Sequence, residues 1–412
     1  MEEANALLGL CIKTEERFKE KQLDPFYDLI IEDSLAKNIY PKEKLNTYRA
    51  ADHTSLCAKF ATEEIWHKYK GTVSSGPAKW TLARAINTGV MYPESFHGCH
   101  AGDAESYDDF KDFFYPVIEA SHPGFSTKEG AGDLGTSRER LNPAKISINL
   151  SESAQLKIVS TRIRIARNLA SFPLNPGGTL DTRKQVVALL RQVYDQFEND
   201  ELKGELFELG KMSNEQRQRL IDDHLLFRGA NKMQAASGYH VGWPVGRAVF
   251  LNKEKTLVNW INEGDHIRII SMQMGADVKG TFALLTKGAN AIEEGVQNIT
   301  GAENSYMMHP KFGAITCCPS NLGTGMRASV HIYIPKLIKA WGFEKIDQEC
   351  RKRLCQARGS SGEHSEVVDF VDISNWRRMG AAEYSLIEDM IKCVNWIVGQ
   401  EDALSDETAA NL

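Results

Sequence analysis

Two hydrophobic periods divide the chain. Leu29, Ile30, Leu35 and Ile39 run up to Pro41, Leu56, Phe60, Ile65 and Trp66 give a second patchy helical face, and Trp80 to Val90 give a third. After a loop marked by Gly98 and Gly102, residues Tyr107, Phe110, Phe113, Phe114, Val117 and Ile118 predict a helix with a broad aromatic face. Residues 122–150 carry no period and are rich in Gly, Ser, Pro and charge, so they read as a surface linker at a domain boundary. Alternation takes over at Val159. VSTRIRIAR (Val159–Arg167), Val249–Leu251, Leu257–Ile261 and His266–Met272 predict strands, the middle two joined by a turn at 252–255. Helical faces are interleaved with them. Val186, Leu190, Val193 and Phe197 line one, capped by Asp181 or Thr182. Ser213 to Gln216 form a capping box opening another that ends near His224, and Ile387, Met390, Ile391, Val394 and Ile397 line a third. The pattern predicts a helical N-terminal part followed by an antiparallel meander whose apolar face the helices cover.

Composition narrows the classes. The chain has 412 residues, 42% hydrophobic and 25% charged, enough for one large or two unequal domains. A net charge of -6 gives no reason to expect a nucleic-acid binder. No apolar run approaches the ~18 residues of a membrane span, and MEEANALLGL lacks the order of a signal peptide. Eight cysteines without CxxC pairs, two of them adjacent at Cys317 and Cys318, suit a reducing, cytoplasmic setting. His97, Cys99 and His100 lack a further ligand at zinc spacing.

The chemistry gathers around Thr316–His331, TCCPSNLGTGMRASVH. An apolar run (Phe312, Ala314, Ile315) leads in, and Val330, Ile332 and Ile334 alternate with His331 and Tyr333 on the way out, which reads as strand, loop, strand. The loop holds a thiol, Cys318, a hydroxyl, Ser320, and an exit arginine, Arg327. A Gly-rich hairpin with a buried cysteine would look the same, but a thiolate there would need a cation or donors nearby. Arg162 and Arg164, two apart on a strand, share one face and repel unless an anion lies across them. Arg268 and Arg327 also fall where strands meet loops, and Arg358 opens a Gly- and Ser-rich loop carrying Glu363. There is no GxxxxGK[ST] and no HRD or DFG set, so an arginine cage is the alternative holder of a polyphosphate.

Cys-Pro-Ser-Asn-Leu-Gly-Thr followed by Arg-Ala-Ser-Val-His resembles the signature of the phosphagen (guanidino) kinases, most closely the arginine and taurocyamine kinases. The resemblance covers nearly the whole chain. It implies an α+β protein: a small all-helical N-terminal domain at residues 1–121 that meets the guanidino substrate, a linker at 122–150, and a larger ATP-binding catalytic domain at 151–412 with an antiparallel sheet flanked by helices. Ser160, Thr161, Arg162, Ile163 and Arg164 match the family's STRxR. His224, Arg268, Arg327, His331 and Arg358 fall on its other nucleotide positions, with the histidines flanking adenine. Trp243-Pro244 and Asp372 to Gly380 are further landmarks. The family transfers the ATP γ-phosphoryl reversibly to a guanidino nitrogen, with Mg²⁺. Glu363 and Cys318 map onto its substrate-gripping glutamate and thiolate, and Glu263 and Asp265 onto acids around Mg²⁺-bound water. The second gripping glutamate would stand at Gly264. That replacement predicts near-normal nucleotide binding with impaired transfer. Ser361 replaces a frequent arginine. The short loop Phe96–Gly102, with His97, Gly98 and His100 as substrate contacts, resembles that of arginine kinases, and a partly protonated histidine there would meet a carboxylate or sulfonate. The other readings are a nucleotide-binding pseudoenzyme and a protein-arginine kinase. Oligomeric state is not legible.

Overall fold

The computed structural model describes residues 33–51, 55–132, 134–227, 232–238, 242–359 and 369–404. Glu363, Ser361, Leu29 and Ile30 lie outside them.

The first described residues are helical, as the period predicts, but in shorter pieces. The face from Leu56 to Trp66 is two helices, Leu56–Phe60 and Glu63–Tyr69, because Ser55 and Thr62 each turn a side-chain oxygen onto the third amide beyond and start a helix of their own. The aromatic face is Ser106–Asp109 followed by Lys111–Ser121. Trp80, Tyr107, Phe110, Phe113 and Phe114 are its fully buried core. Phe312, Ile315, Cys317, Leu322 and Met379 from the far end of the chain join the same apolar cluster.

Eight antiparallel strands make the sheet: β1 (Ile158–Arg167), β2 (Gly204–Glu208), β3 (Ala248–Asn252), β4 (Leu257–Ile261), β5 (Ile267–Met274), β8 (Met326–Tyr333), β9 (Cys355–Gly359) and β10 (Phe370–Asn375). Between β5 and β8 lie two short strands, β6 (Met308–His309) and β7 (Gly313–Ala314), that pair with each other. The sheet order is β2-β3-β4-β5-β1-β8-β10-β9, so β1 is inserted between β5 and β8 and the sheet is not a simple meander. The strand expected before Cys318 shrinks to β7, because Phe312 and Ile315 bury into the helical core and leave the sheet without them.

One face of the sheet is apolar. Ile163, Ile165, Ile269, Ala328, Val330 and Ile373 pack under the helices Leu180–Asp195, Val278–Thr300, Pro335–Arg351 and Glu383–Ala403. The first of these helices starts earlier than Asp181 or Thr182. Thr179 is its cap, and Thr182 closes the capping box from inside. The box at Ser213–Gln216 forms as predicted. Residues 122–150 are more than a surface linker. They hold a capped turn at Ser137–Arg140, and Arg140 is buried 3.5 Å from Glu383, which also meets Arg167 at 2.8 Å. Among the described residues no helix is long and apolar enough to cross a membrane.

Candidate active site

Strand register assembles the site. Arg164 lies opposite Arg327, Arg162 opposite Ser329, and Ser160 opposite His331. Ala166 lies opposite Arg268, His331 opposite Asp372, and Asp372 opposite Arg358. Directly opposed residues share a face. Arg162, Arg164, Arg268, Arg327, His331 and Arg358 therefore all rise from the face that the apolar helices leave uncovered. The electrostatics agree with the register. Burial pushes Arg162 down to about 10, with Arg327 and Arg268 adding repulsion against the pull of Asp372. Burial also holds Arg164 well below its ordinary value, and Arg268, Arg162, Arg327 and Arg378 press in the same direction. Such a cluster is costly without an anion among it. Asp372 offsets part of the charge: its Oδ2 accepts from Arg327 Nη2 at 3.1 Å and stands 3.5 Å from His331 Nε2.

The rim of this face is aromatic. The Arg162 guanidinium lies 5.6 Å from the Trp260 ring, and Trp260 Nε1 donates to the Leu225 carbonyl at 2.8 Å. His224, the preceding residue, is exposed in a left-handed turn after the helix Asn214–Asp222. Its link to Arg162 runs through the neighbouring Leu225 and Trp260, while His331 belongs to the sheet itself.

Residues 262–266 form a rigid corner beside the cage. Asn262 takes a left-handed backbone (φ 55°) and its amide donates to the Arg183 and Gly246 carbonyls. Asn168 donates to Asp265 Oδ1 at 2.9 Å and accepts the His266 amide at 2.8 Å. Glu263 Oε2 is 2.7 Å from Arg268 Nη1, and Gln234 donates to its Oε1. The Gly264 carbonyl accepts from Asn175 Nδ2 and from Cys317 Sγ, both at 3.3 Å. Glu263 Oε2 and Asp265 Oδ2 are both buried and both face the Arg268 guanidinium, at 2.7 and 3.9 Å. Two acidic side chains side by side at this corner are hard oxygen ligands of the kind a hydrated cation accompanying polyphosphate would take. Among the described residues no three His, Cys, Asp or Glu side chains converge to hold an ion unaided.

The Cys318 loop is held from the helical side. Tyr107 donates to the Thr316 carbonyl at 2.7 Å, the Ala101 amide to Cys317 O at 2.8 Å, and His122 Nε2 to Pro319 O at 2.8 Å. Cys318 Sγ lies 3.1 Å from Ser320 Oγ. Burial pushes this thiol up, while the Ser320 hydrogen bonds and the Arg378 charge pull the other way. Arg378 is the residue the sequence reading missed. It was legible as part of the Asp372–Gly380 landmark, but nothing in its spacing marks it as facing Cys318.

His97 and His100 do not supply the expected cation. Burial pushes His97 down to about 3, aided by His122, Arg378 and His100, and pushes His100 down to about 4. Both imidazoles are thereby kept neutral near pH 7. Burial likewise takes His122 and His266 to about 4. At pH above their ordinary 6.5 these groups are neutral in both folded and unfolded chains, and stability is complete. As pH falls from 6.5 toward 4, the unfolded chain takes up protons that the fold refuses. Stability should then drop by up to about 1.4 kcal/mol per pH unit for each of the buried His100, His122 and His266. Urea unfolding across this window checks it; a flat profile would mean that the fold accommodates the imidazolium forms.

Comparison with known proteins agrees with this geometry. A family model described as ATP:guanido phosphotransferase, C-terminal catalytic domain, matches residues 185–404, and the corresponding N-terminal domain matches residues 51–119. An arginine kinase of Stichopus japonicus is 36% identical over 354 residues, 85% of this chain and 91% of that protein. The structure of a lombricine kinase superposes with TM-score 0.77 at 31% identity, covering 86% of this chain and 95% of the other. The duplicated taurocyamine kinase of Schistosoma mansoni, substrate-free, superposes with TM-score 0.75 at 31% identity over 88% of this chain, which spans 49% of that duplicated protein. The chain belongs to the ATP:guanido phosphotransferases, the phosphagen kinases.

Proposed function

We propose that this phosphagen kinase moves the ATP γ-phosphoryl reversibly to the guanidino nitrogen of arginine, with taurocyamine as the second candidate, and that Gly264 slows the transfer. The observation that carries the reading is the convergence of five strand-borne arginines on one sheet face, beside a thiol loop that the helical domain grips. Residues 1–121 would meet the guanidino substrate, 122–150 would connect, and 151–412 would hold the nucleotide. Ser160 to Arg164, Arg268, Arg327 and Arg358 would bind phosphates, with His224 and His331 at the adenine end. Cys318, Glu363, His97, Gly98 and His100 would face the guanidino acid. Glu263 and Asp265 would hold Mg²⁺ through water; the metal, when bound, neutralises phosphate charge.

Transfer forms a bond between the guanidino nitrogen and γ-phosphorus, breaks the β–γ bridging bond, and releases the proton of the attacking nitrogen. It asks the protein mainly for alignment and for charge neutralisation. The arginines supply the second. Alignment falls to Cys318 and Glu363, because position 264 brings no carboxylate. The chemistry and the free cysteines suit a cytoplasmic enzyme. A coupled assay over arginine, taurocyamine, creatine and glycocyamine tests this, with turnover expected on one of the first two. Transfer to none of the four, together with tight ADP binding, would leave the pseudoenzyme reading standing.

A further inference from the structure

Arg378 lies outside the strand register that builds the cage, yet it bonds to the thiol loop and its charge is felt by the cage arginines. Its Nη1 donates to the Ser320 carbonyl at 2.5 Å and to Asn321 Oδ1 at 2.7 Å. Its own carbonyl accepts the Thr324 amide at 2.9 Å. Between these grips Gly323 adopts φ 95°, and a Cβ there would fall 2.4 Å from the Arg378 oxygen, so only glycine lets the two backbones close. The next residue, Met379, is buried in one apolar cluster with Leu322. Residues 320–324 are thus clamped by both the main chain and the side chain of Arg378.

We propose that Arg378 is a positioning residue that fixes the Cys318 loop and serves as the stationary cation of its thiol. This rests on the phosphagen-kinase reading of the site. The thiol's surroundings are otherwise unfavourable to a thiolate. Asp265 from the acidic corner raises it, and the neighbouring Cys99, Cys317 and Tyr107 would be further anions if they ionised. His97 and His122 are neutral near pH 7. Besides the Ser320 hydrogen bonds, the Arg378 guanidinium is what favours the charged sulfur. Its own proton affinity is lowered to about 10 by burial and by repulsion from the cage residues Arg327 and Arg358. One side chain therefore contributes to both loop position and thiol charge.

The test is the pH profile of Cys318 alkylation by iodoacetamide, followed on the Cys318 peptide by mass spectrometry, in the unmodified protein, Arg378→Met and Arg378→Lys. In Arg378→Met the alkylation midpoint should rise by about one unit and kcat should fall about tenfold or more, with ADP Kd changed less than about twofold. Arg378→Lys keeps the charge and loses the forked grip. It should restore the midpoint while leaving kcat depressed. An unmoved midpoint in Arg378→Met overturns the proposal. So does a many-fold loss of ADP affinity, which would make Arg378 a phosphate ligand. If the methionine variant does not fold, wild-type kcat and midpoint in Arg378→Lys would refute the clamp alone. Alkylation is read without any guanidino substrate, so its outcome is separate from whether the chain transfers phosphoryl to arginine.

Discussion

Gly264→Glu is expected to raise kcat at least about tenfold on the guanidino substrate and to leave ADP affinity unchanged. Removing one preorganised charged partner from a transition state typically costs ~3–4 kcal/mol, a hundred- to thousandfold in rate. The corner that would carry the new carboxylate is already rigid. Asn262 is locked by two backbone carbonyls, Asp265 by Asn168 and the Cys317 amide, and the Gly264 carbonyl by Asn175 and Cys317. A side chain at 264 thus starts from a fixed backbone bonded to the residue next to Cys318. The gain is set at tenfold, below the full penalty, because burying a new carboxylate has its own desolvation cost. The arginines proposed to bind phosphate lie on the strands and do not depend on this side chain. A coupled assay with isothermal titration of ADP measures both quantities. Flat turnover with unaltered ADP binding would sink the assignment of position 264.

The parts of this site legible in the sequence are those governed by period two. Arg162 and Arg164 share a face by spacing alone, and Arg268 and Arg327 join them because their strands pair directly with β1. What periodicity does not contain is strand order. Nothing local in VSTRIRIAR says that it enters the middle of the sheet, between β5 and β8. Contacts between distant turns were equally hidden. Arg378 grips a loop 57 residues upstream of it, counted to Asn321, and the buried Arg140 reaches Glu383 from a stretch whose composition reads as solvent-facing. The histidines were misjudged for a related reason. Their charge depends on burial, which belongs to the tertiary fold, and that burial turned the expected cations at His97 and His100 into neutral groups.

Arg164→Met should weaken ADP binding by about a hundredfold or more, the usual scale for truncating one member of a desolvated charge contact, and should make the nucleotide-free protein more stable, not less. The second effect follows from the crowding of like charges. Burial and four neighbouring guanidinium groups, those of Arg268, Arg162, Arg327 and Arg378, all disfavour the charged form of Arg164. The fold keeps this repulsion as the counterpart of anion binding, and a methionine of similar length relieves it. Two melting curves separate the effects. Without ligand the variant should melt at or above the unmodified protein. With saturating ADP the unmodified protein should gain stability as RT ln(1 + [L]/Kd), and the variant should gain little at the same concentration. A variant that melts lower without ligand would show that Arg164 is paired within the resting protein, and that the sheet face is not a cage waiting for phosphate.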